Sequence, residues 1–152
     1  MPDVRIIPFK AEHYLALLEQ ADVGPLAKSK AFVQELEANE GYAYTALAGE
    51  TVIGCGGVKP FWPGVGEAWA VYPNDRKEYA MAIAKQTRLG LMFLMQEHKL
   101  RRVQAVVPVT YAVGMRFVRW LGFEMEGRMR GYMPDGGDAY MYALATGRDD
   151  HA

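Results

Sequence analysis

The chain has one cysteine, three histidines and no apolar run approaching the ~20 residues of a bilayer span. A lone Cys55 excludes an internal disulfide and fits a reducing compartment, where it reads as a buried structural thiol. His13, His98 and His151 are too scattered for metal-ligand spacing, so no metal is expected. The first ten residues, MPDVRIIPFK, hold no apolar core behind basic residues; no leader or membrane anchor is expected, and the expected location is the cytoplasm. A formal net charge of −1 gives no global attraction for nucleic acid or an anionic membrane. Basic residues do gather locally, in HKLRR at 98–102 and at Arg116, Arg119, Arg128 and Arg130. Without aromatics interleaved for base stacking, they read as a solvated face with ion pairs to Glu124 and Glu126, and no nucleic-acid partner is expected.

What is present is enough apolar material for one core: 51% of 152 residues. No repeat or linker interrupts residues 1–146, which read as a single domain, and 147–152 read as a frayed tail. A strand over 3–10 is followed by a helix over 11–20 with Tyr14, Leu17 and Leu18 on one face. A second helix is expected over 27–41, through Phe32 and Leu36 to a stop at Gly41. Two strand-like runs then flank Gly49–Glu50, the two-residue connection of a hairpin, and PGVGE turns the chain into a third member of the meander, EAWAVYP. The principal helix is expected from about Arg76 to His98, with Ala80, Ile83, Ala84, Thr87, Leu91, Leu94 and Met95 on one stripe. RRVQAVVPV returns parallel to EAWAVYP through a right-handed crossover. A short helix ending at Gly122 and a last hairpin, EMEGRMRGYM and DAYMYALA, complete the chain. The expected fold is α/β with a mixed central sheet of about seven strands and about four helices, in the order β-α-α-β-β-β-α-β-α-β-β.

Three stretches in this order resemble the GNAT acyltransferase superfamily: GETVIGCGGV its second hairpin, EAWAVYPNDRK its fourth strand and the approach to its coenzyme A helix, and FVRWLGFEMEGRMRGYM its C-terminal LGF-x-x-EG-x-x-R run. Within the last, Leu121, Gly122, Phe123, Glu126, Gly127 and Arg130 fall in register together. The chain is more narrowly similar to small phage-encoded, virion-associated members, through IGCGG, EAWAV and GF; a phage origin would place it in the host cytoplasm or a virion. The resemblance implies a gap between the fourth and fifth strands, entered by acyl-coenzyme A from one side and by a small-molecule or protein amine from the other.

The family's turn before the coenzyme A helix reads Q/R-x-x-G-x-G/A; here it is RKEYAM. Arg76 keeps the first position and Lys77 adds a cation, while Tyr79 and Met81 stand where glycine and a small residue belong, on either side of Ala80. Asp75 and Glu78 have the spacing of a capping box that would satisfy the helix start with the protein's own carboxylates. Acetyl-coenzyme A is therefore the expected cofactor, held weakly or lost.

By the same resemblance Glu67 is the candidate general base, against a plain solvated strand-end glutamate, and Trp69, Ala70 and Val71 would line the acyl group and offer a backbone N–H to its carbonyl. The tyrosine that protonates the leaving thiolate in the family falls at Val118, and an asparagine and serine of one subfamily fall at Tyr111 and Gly114; Tyr111 is the substitute acid or a packing aromatic. Phe61 and Trp62 either cap the core or form a docking loop for a substrate or protein partner. Two functions stay open: an N-acetyltransferase, or a catalytically inactive protein of the same fold that binds another protein. Monomer and homo-oligomer are equally open.

Overall fold

The computed structural model describes residues 3–20, 34, 35, 38, 40–72 and 77–146. Its strands are β1 (Val4–Pro8), β2 (Ala43–Ala48), β3 (Thr51–Trp62), β4 (Val65–Val71), β5 (Arg102–Pro108), β6 (Glu124–Met129) and β7 (Ala139–Ala145). Among the described residues the α-helices are α1 (Ala11–Gln20), α2 (Ala80–Glu97) and α3 (Ala112–Trp120), with single 3-10 turns at Glu40–Tyr42 and Lys77–Tyr79. The second helix expected over 27–41 lies largely outside the described residues; of it, Gln34, Glu35 and Ala38 are helical. The tail at 147–152 also lies outside them.

The seven strands form one sheet in the order β1-β2-β3-β4-β5-β7-β6, antiparallel at every step except β4–β5. Local chemistry sets this order. Gly49, at φ 61°, closes the β2–β3 hairpin, and Gly64, at φ 89°, closes β3–β4. The Gly64 carbonyl accepts from the N–H groups of Arg101 and Arg102, at 2.8 and 3.1 Å, so the same turn fixes where β5 begins. Pro60 is tolerated inside β3 because the register shifts there, between Pro60 and Trp62.

Strand alternation sends each strand's side chains to two layers. On one face Phe9, Tyr14 and Leu17 pack with Val52, Cys55 and Val71 under α1. On the other, Leu91, Leu94 and Met95 of α2 and Val118 of α3 pack on Val103, Val107, Phe123 and Tyr142. A smaller patch joins Ala46 and Ile53 to Ile83, with Tyr72 and Tyr79 against it.

Tyr142 is fully buried, and its hydroxyl has no hydrogen-bond partner among the described residues. An unpaired buried hydroxyl is a net cost. Tyr142→Phe is therefore expected to raise stability by up to about 1 kcal/mol, read as a higher urea midpoint at unchanged slope. A lower midpoint would mean that the hydroxyl is satisfied after all.

Candidate functional site

β4 and β5 pair over only three positions: Val65 with Arg102, Gly66 with Val103, and Glu67 with Gln104. Beyond these, Ala68–Val71 pair only with β3, and Ala105–Pro108 pair only with β7. The centre of the sheet thus opens into a wedge. Alternate N–H and C=O groups along both of its edges have no strand opposite them. The order strand, long helix, strand leads one to expect a parallel pair parting at its C-terminal ends, and this is the observed arrangement.

Glu67 stands at the fork. Its half-buried carboxylate accepts, at Oε1, a 3.3 Å hydrogen bond from Gln104 Nε2. Gln104 Oε1 in turn accepts from Arg102 Nε and Nη2, at 3.3 and 3.2 Å, and Arg102 makes two N–H bonds of 2.9 and 2.7 Å to the Glu126 carboxylate. The Glu126 contact pushes the already high pKa of Arg102 further up. The basic residues of HKLRR and of the C-terminal stretch were expected to pair with Glu124 and Glu126. Glu126 does pair with Arg102 of HKLRR, whereas Arg128 pairs with Asp138 at 2.8 Å.

Of the three residues expected to line the acyl group, only Ala70 is exposed. Val71 is buried in the core, and the Trp69 ring meets Phe9 and Tyr14 edge-on, with centroids at 5.3 and 6.5 Å. Both side chains serve packing, which leaves their backbone as the part that can face the wedge.

The start of α2 differs from expectation. The α-helix begins at Ala80, after the 3-10 turn Lys77–Tyr79, and not near Arg76. Its N-cap is Tyr79, at φ −100° and ψ −2°, with no side-chain cap bond and no acidic residue in the first turn. Glu78 is exposed before that cap, while Asp75 and Arg76 lie outside the described residues. The physical reason is tertiary: Tyr79 packs on the Ala46, Ile53 and Ile83 patch, which decides where the helix can start. The other bulky residue, Met81, is 61% exposed. Tyr79 leans onto the core and Met81 reaches into solvent, so among the described residues the first-turn N–H groups have no side-chain acceptor.

Tyr111 is the N-cap of α3 and is half exposed. Its ring lies over Gly114, where a Cβ would come within 2.5 Å of the ring carbons. Packing and exposure therefore coexist at this residue, because Gly114 has no side chain. Val118, where the resemblance implied a tyrosine in other members, is buried in the core.

Sequence reading missed Tyr72, the residue just after β4. Its ring lies over Gly54 and meets Phe117 of α3 edge-on at 6.2 Å, and its hydroxyl is 2.9 Å from Thr87 Oγ1. Thr87 donates to the Ile83 carbonyl, so the Tyr72 hydroxyl is the donor in this pair. Burial chiefly pushes the Tyr72 phenol up to about 12, against the Thr87 bond, with the nearby Cys55 thiol and Tyr111 hydroxyl adding to it. Burial likewise pushes the Cys55 thiol up, as befits an inert structural cysteine. The alternation in EAWAVYP would have marked Tyr72 as facing α2 and α3, but nothing in it identifies Thr87 as partner.

At the other end of β4, Phe61 and Trp62 border an open depression of about 390 Å³ with Tyr42, Pro60, Pro63 and His98. The Tyr42 and His98 rings meet there with centroids at 4.1 Å and planes tilted by 32°. The aromatics of the β3–β4 turn thus form a surface feature away from the wedge. Among the described residues no three His, Cys, Asp or Glu side chains form a metal-sized group, and no helix is long and apolar enough to cross a membrane.

No family model matches the sequence, and no curated protein matches it closely. The fold, however, is similar to many solved structures. Ard1 from Thermoplasma volcanium is 14% identical with a TM-score of 0.75, over 93% of this chain and 97% of that one. The NatC complex bound to Gag peptide and CoA gives 16% and 0.75, over 94% and 98%. A GNAT-family acetyltransferase from Bacillus anthracis gives 18% and 0.71, over 93% and 94%. The chain therefore has the fold of the GNAT acetyltransferases: a seven-stranded mixed sheet whose one parallel pair parts at the centre. None of these three structures supports the narrower similarity to phage-encoded members.

Proposed function

We propose that the protein is an acyl-coenzyme A-dependent N-acyltransferase that transfers acetyl to a primary amine. The observation that carries this reading is the parting of β4 and β5 immediately past a carboxylate, Glu67, at the fork. The wedge fits the cofactor: its edges offer backbone groups with no strand opposite them to an amide-bearing arm, and the first turn of α2, which has no side-chain cap among the described residues and lies just after Lys77, offers N–H donors to a diphosphate. Acetyl-coenzyme A, when bound, supplies an acyl group already activated as a thioester.

The chain's own residues then have three tasks. Glu67 takes the proton of the incoming amine, directly or through water. A β4 backbone N–H past Glu67 donates to the acyl carbonyl oxygen, where negative charge develops. Tyr111, half exposed at the head of α3, is the candidate to return a proton to the leaving thiolate, in place of the buried Val118. A peptide-borne amine is the acceptor class to test first, given the peptide and CoA held by NatC.

A second reading is favoured by one observation, the burial of Val118 in the core where the family keeps its acid. On that reading the protein is an inactive binding component, docking through Phe61 and Trp62. Its virion association rests on the phage-like resemblance alone.

Thermal denaturation with acetyl-coenzyme A separates the two. At about 100 times Kd a native-state ligand adds about 2.7 kcal/mol, which should raise Tm by roughly 5 °C or more for a chain of this size. Thiol release with a mixture of short peptides bearing free N-termini then tests turnover. No shift at millimolar acetyl-coenzyme A would overturn the enzyme reading.

A further inference from the structure

We propose that Gln104 is a positioning residue for Glu67, its amide aimed by the Arg102–Glu126 ion pair; the proposal rests on the acyl-transfer reading above. Glu67 and Gln104 form the last pair before the strands part, so their side chains share one face at the fork. An ionised carboxylate only accepts, so the Gln104 amide can face Glu67 only with its NH2 end. Arg102 holds the amide in that sense from the other side, with Nε and Nη2 against Gln104 Oε1 at 3.3 and 3.2 Å. A guanidinium has donors and no acceptor, so it can face only the oxygen, and the Gln104 NH2 group is left to donate to Glu67 Oε1.

Arg102 is itself held. Its two N–H bonds to the oxygens of Glu126 have the forked geometry that fixes orientation as well as distance. The two partners come from β5 and β6, with β7 between them. They meet because the β7 residues on that face are alanines, Ala145 opposite Arg102 and Ala143 opposite both Gln104 and Glu124. Glu126, which the sequence presents as part of a C-terminal motif and as an ion-pair partner for the basic residues, is thus the far end of a relay that stops at Glu67.

The consequence for proton transfer is geometric. Gln104 occupies Oε1 of Glu67, while Oε2 has no hydrogen-bond partner among the described residues. A carboxylate held at one oxygen presents the other in a preferred direction, which a proton transfer needs in addition to the basicity of the group.

The test uses the whole chain, acetyl-coenzyme A and a mixture of short peptides with free N-termini, with thiol release as readout. Gln104→Met keeps the length and removes the amide; kcat is expected to fall about 10-fold with KM for acetyl-coenzyme A unchanged within about twofold. In a Glu67→Gln background the same substitution should change kcat by less than about twofold, since its partner's role is already gone. An equal loss in both backgrounds would overturn the proposal. A second measurement is independent of turnover: the Gln104 side-chain amide protons, followed by NMR, should be distinct and slow to exchange, and should move to free-glutamine values in Arg102→Met and partly so in Glu126→Gln. Free values in the unaltered protein would also overturn it. An ordered amide with no thiol release would uphold the positioning contact and sink the acyl-transfer reading instead.

Discussion

Glu67→Gln is expected to lower the rate of acetyl transfer by about 100-fold or more while leaving the melting temperature within about 2 °C of the unaltered protein. The two halves of this expectation have different causes. The substituted amide keeps the size of the side chain and an oxygen that can still accept from Gln104 Nε2, so the last β4–β5 pair is not disturbed. The side chain is half-buried at the mouth of a wedge and contributes to no hydrophobic cluster, so little packing is at stake. What disappears is the capacity to accept a proton, since an amide oxygen is a far weaker base than a carboxylate. If the amine is deprotonated at this position, kcat falls and KM for acetyl-coenzyme A holds, the pattern of an interaction made only in the transition state. Thiol-release kinetics and a melt followed by circular dichroism measure both. A rate that survives the change would remove Glu67 from the mechanism and point to a water or another group at the fork.

Much of the fold was legible because its signals are local. Gly49–Glu50 between two alternating runs specifies a hairpin, and the apolar stripe from Ile83 to Met95 specifies one long helix that must cross back to the sheet. The parallel pairing of β4 with β5 follows from that crossover. What was not legible depends on contacts between distant residues. The charges at Asp75 and Glu78 suggest a capped helix near Arg76, yet the cap falls at Tyr79 because its ring is drawn onto Ala46 and Ile53, more than twenty-five residues away in sequence. Gln104 gave no signal at all. A glutamine in RVQAVVP is simply the polar phase of an alternating strand, and only the β4–β5 register brings it against Glu67. For Arg102 the sequence offered Glu124 and Glu126 as partners, but not the route, which passes over a pair of alanines to reach Glu126 two strands away.

Met81→Asp should stabilise the free protein and weaken its binding of coenzyme A, two effects of one charge with opposite signs. The first turn of α2 has no acidic residue and its N-cap makes no side-chain cap bond; among the described residues the nearest carboxylate in sequence is the exposed Glu78 of the preceding 3-10 turn, which compensates the positive end of the helix dipole only in part. Met81 is 61% exposed in that turn and can be replaced without opening the core. An aspartate there is expected to add about 0.3–1 kcal/mol to stability through the dipole and the free N–H groups, somewhat offset by its lower helix propensity. If the cofactor's diphosphate sits at this same end, the new carboxylate stands a few ångströms from like charge, and the repulsion should lower affinity by roughly 10- to 100-fold. Met81→Asn is the control, similar in shape to aspartate and without its charge, and should leave affinity almost unchanged. Chemical denaturation and calorimetry with coenzyme A give the two numbers separately. A gain in stability with unchanged affinity would place the diphosphate elsewhere and weaken the enzyme reading at its cofactor end. No gain in stability would mean that the helix terminus is already neutralised, and the departure from glycine at Tyr79 and Met81 would then have to be read as closure of the site rather than as a substitution the fold has turned aside.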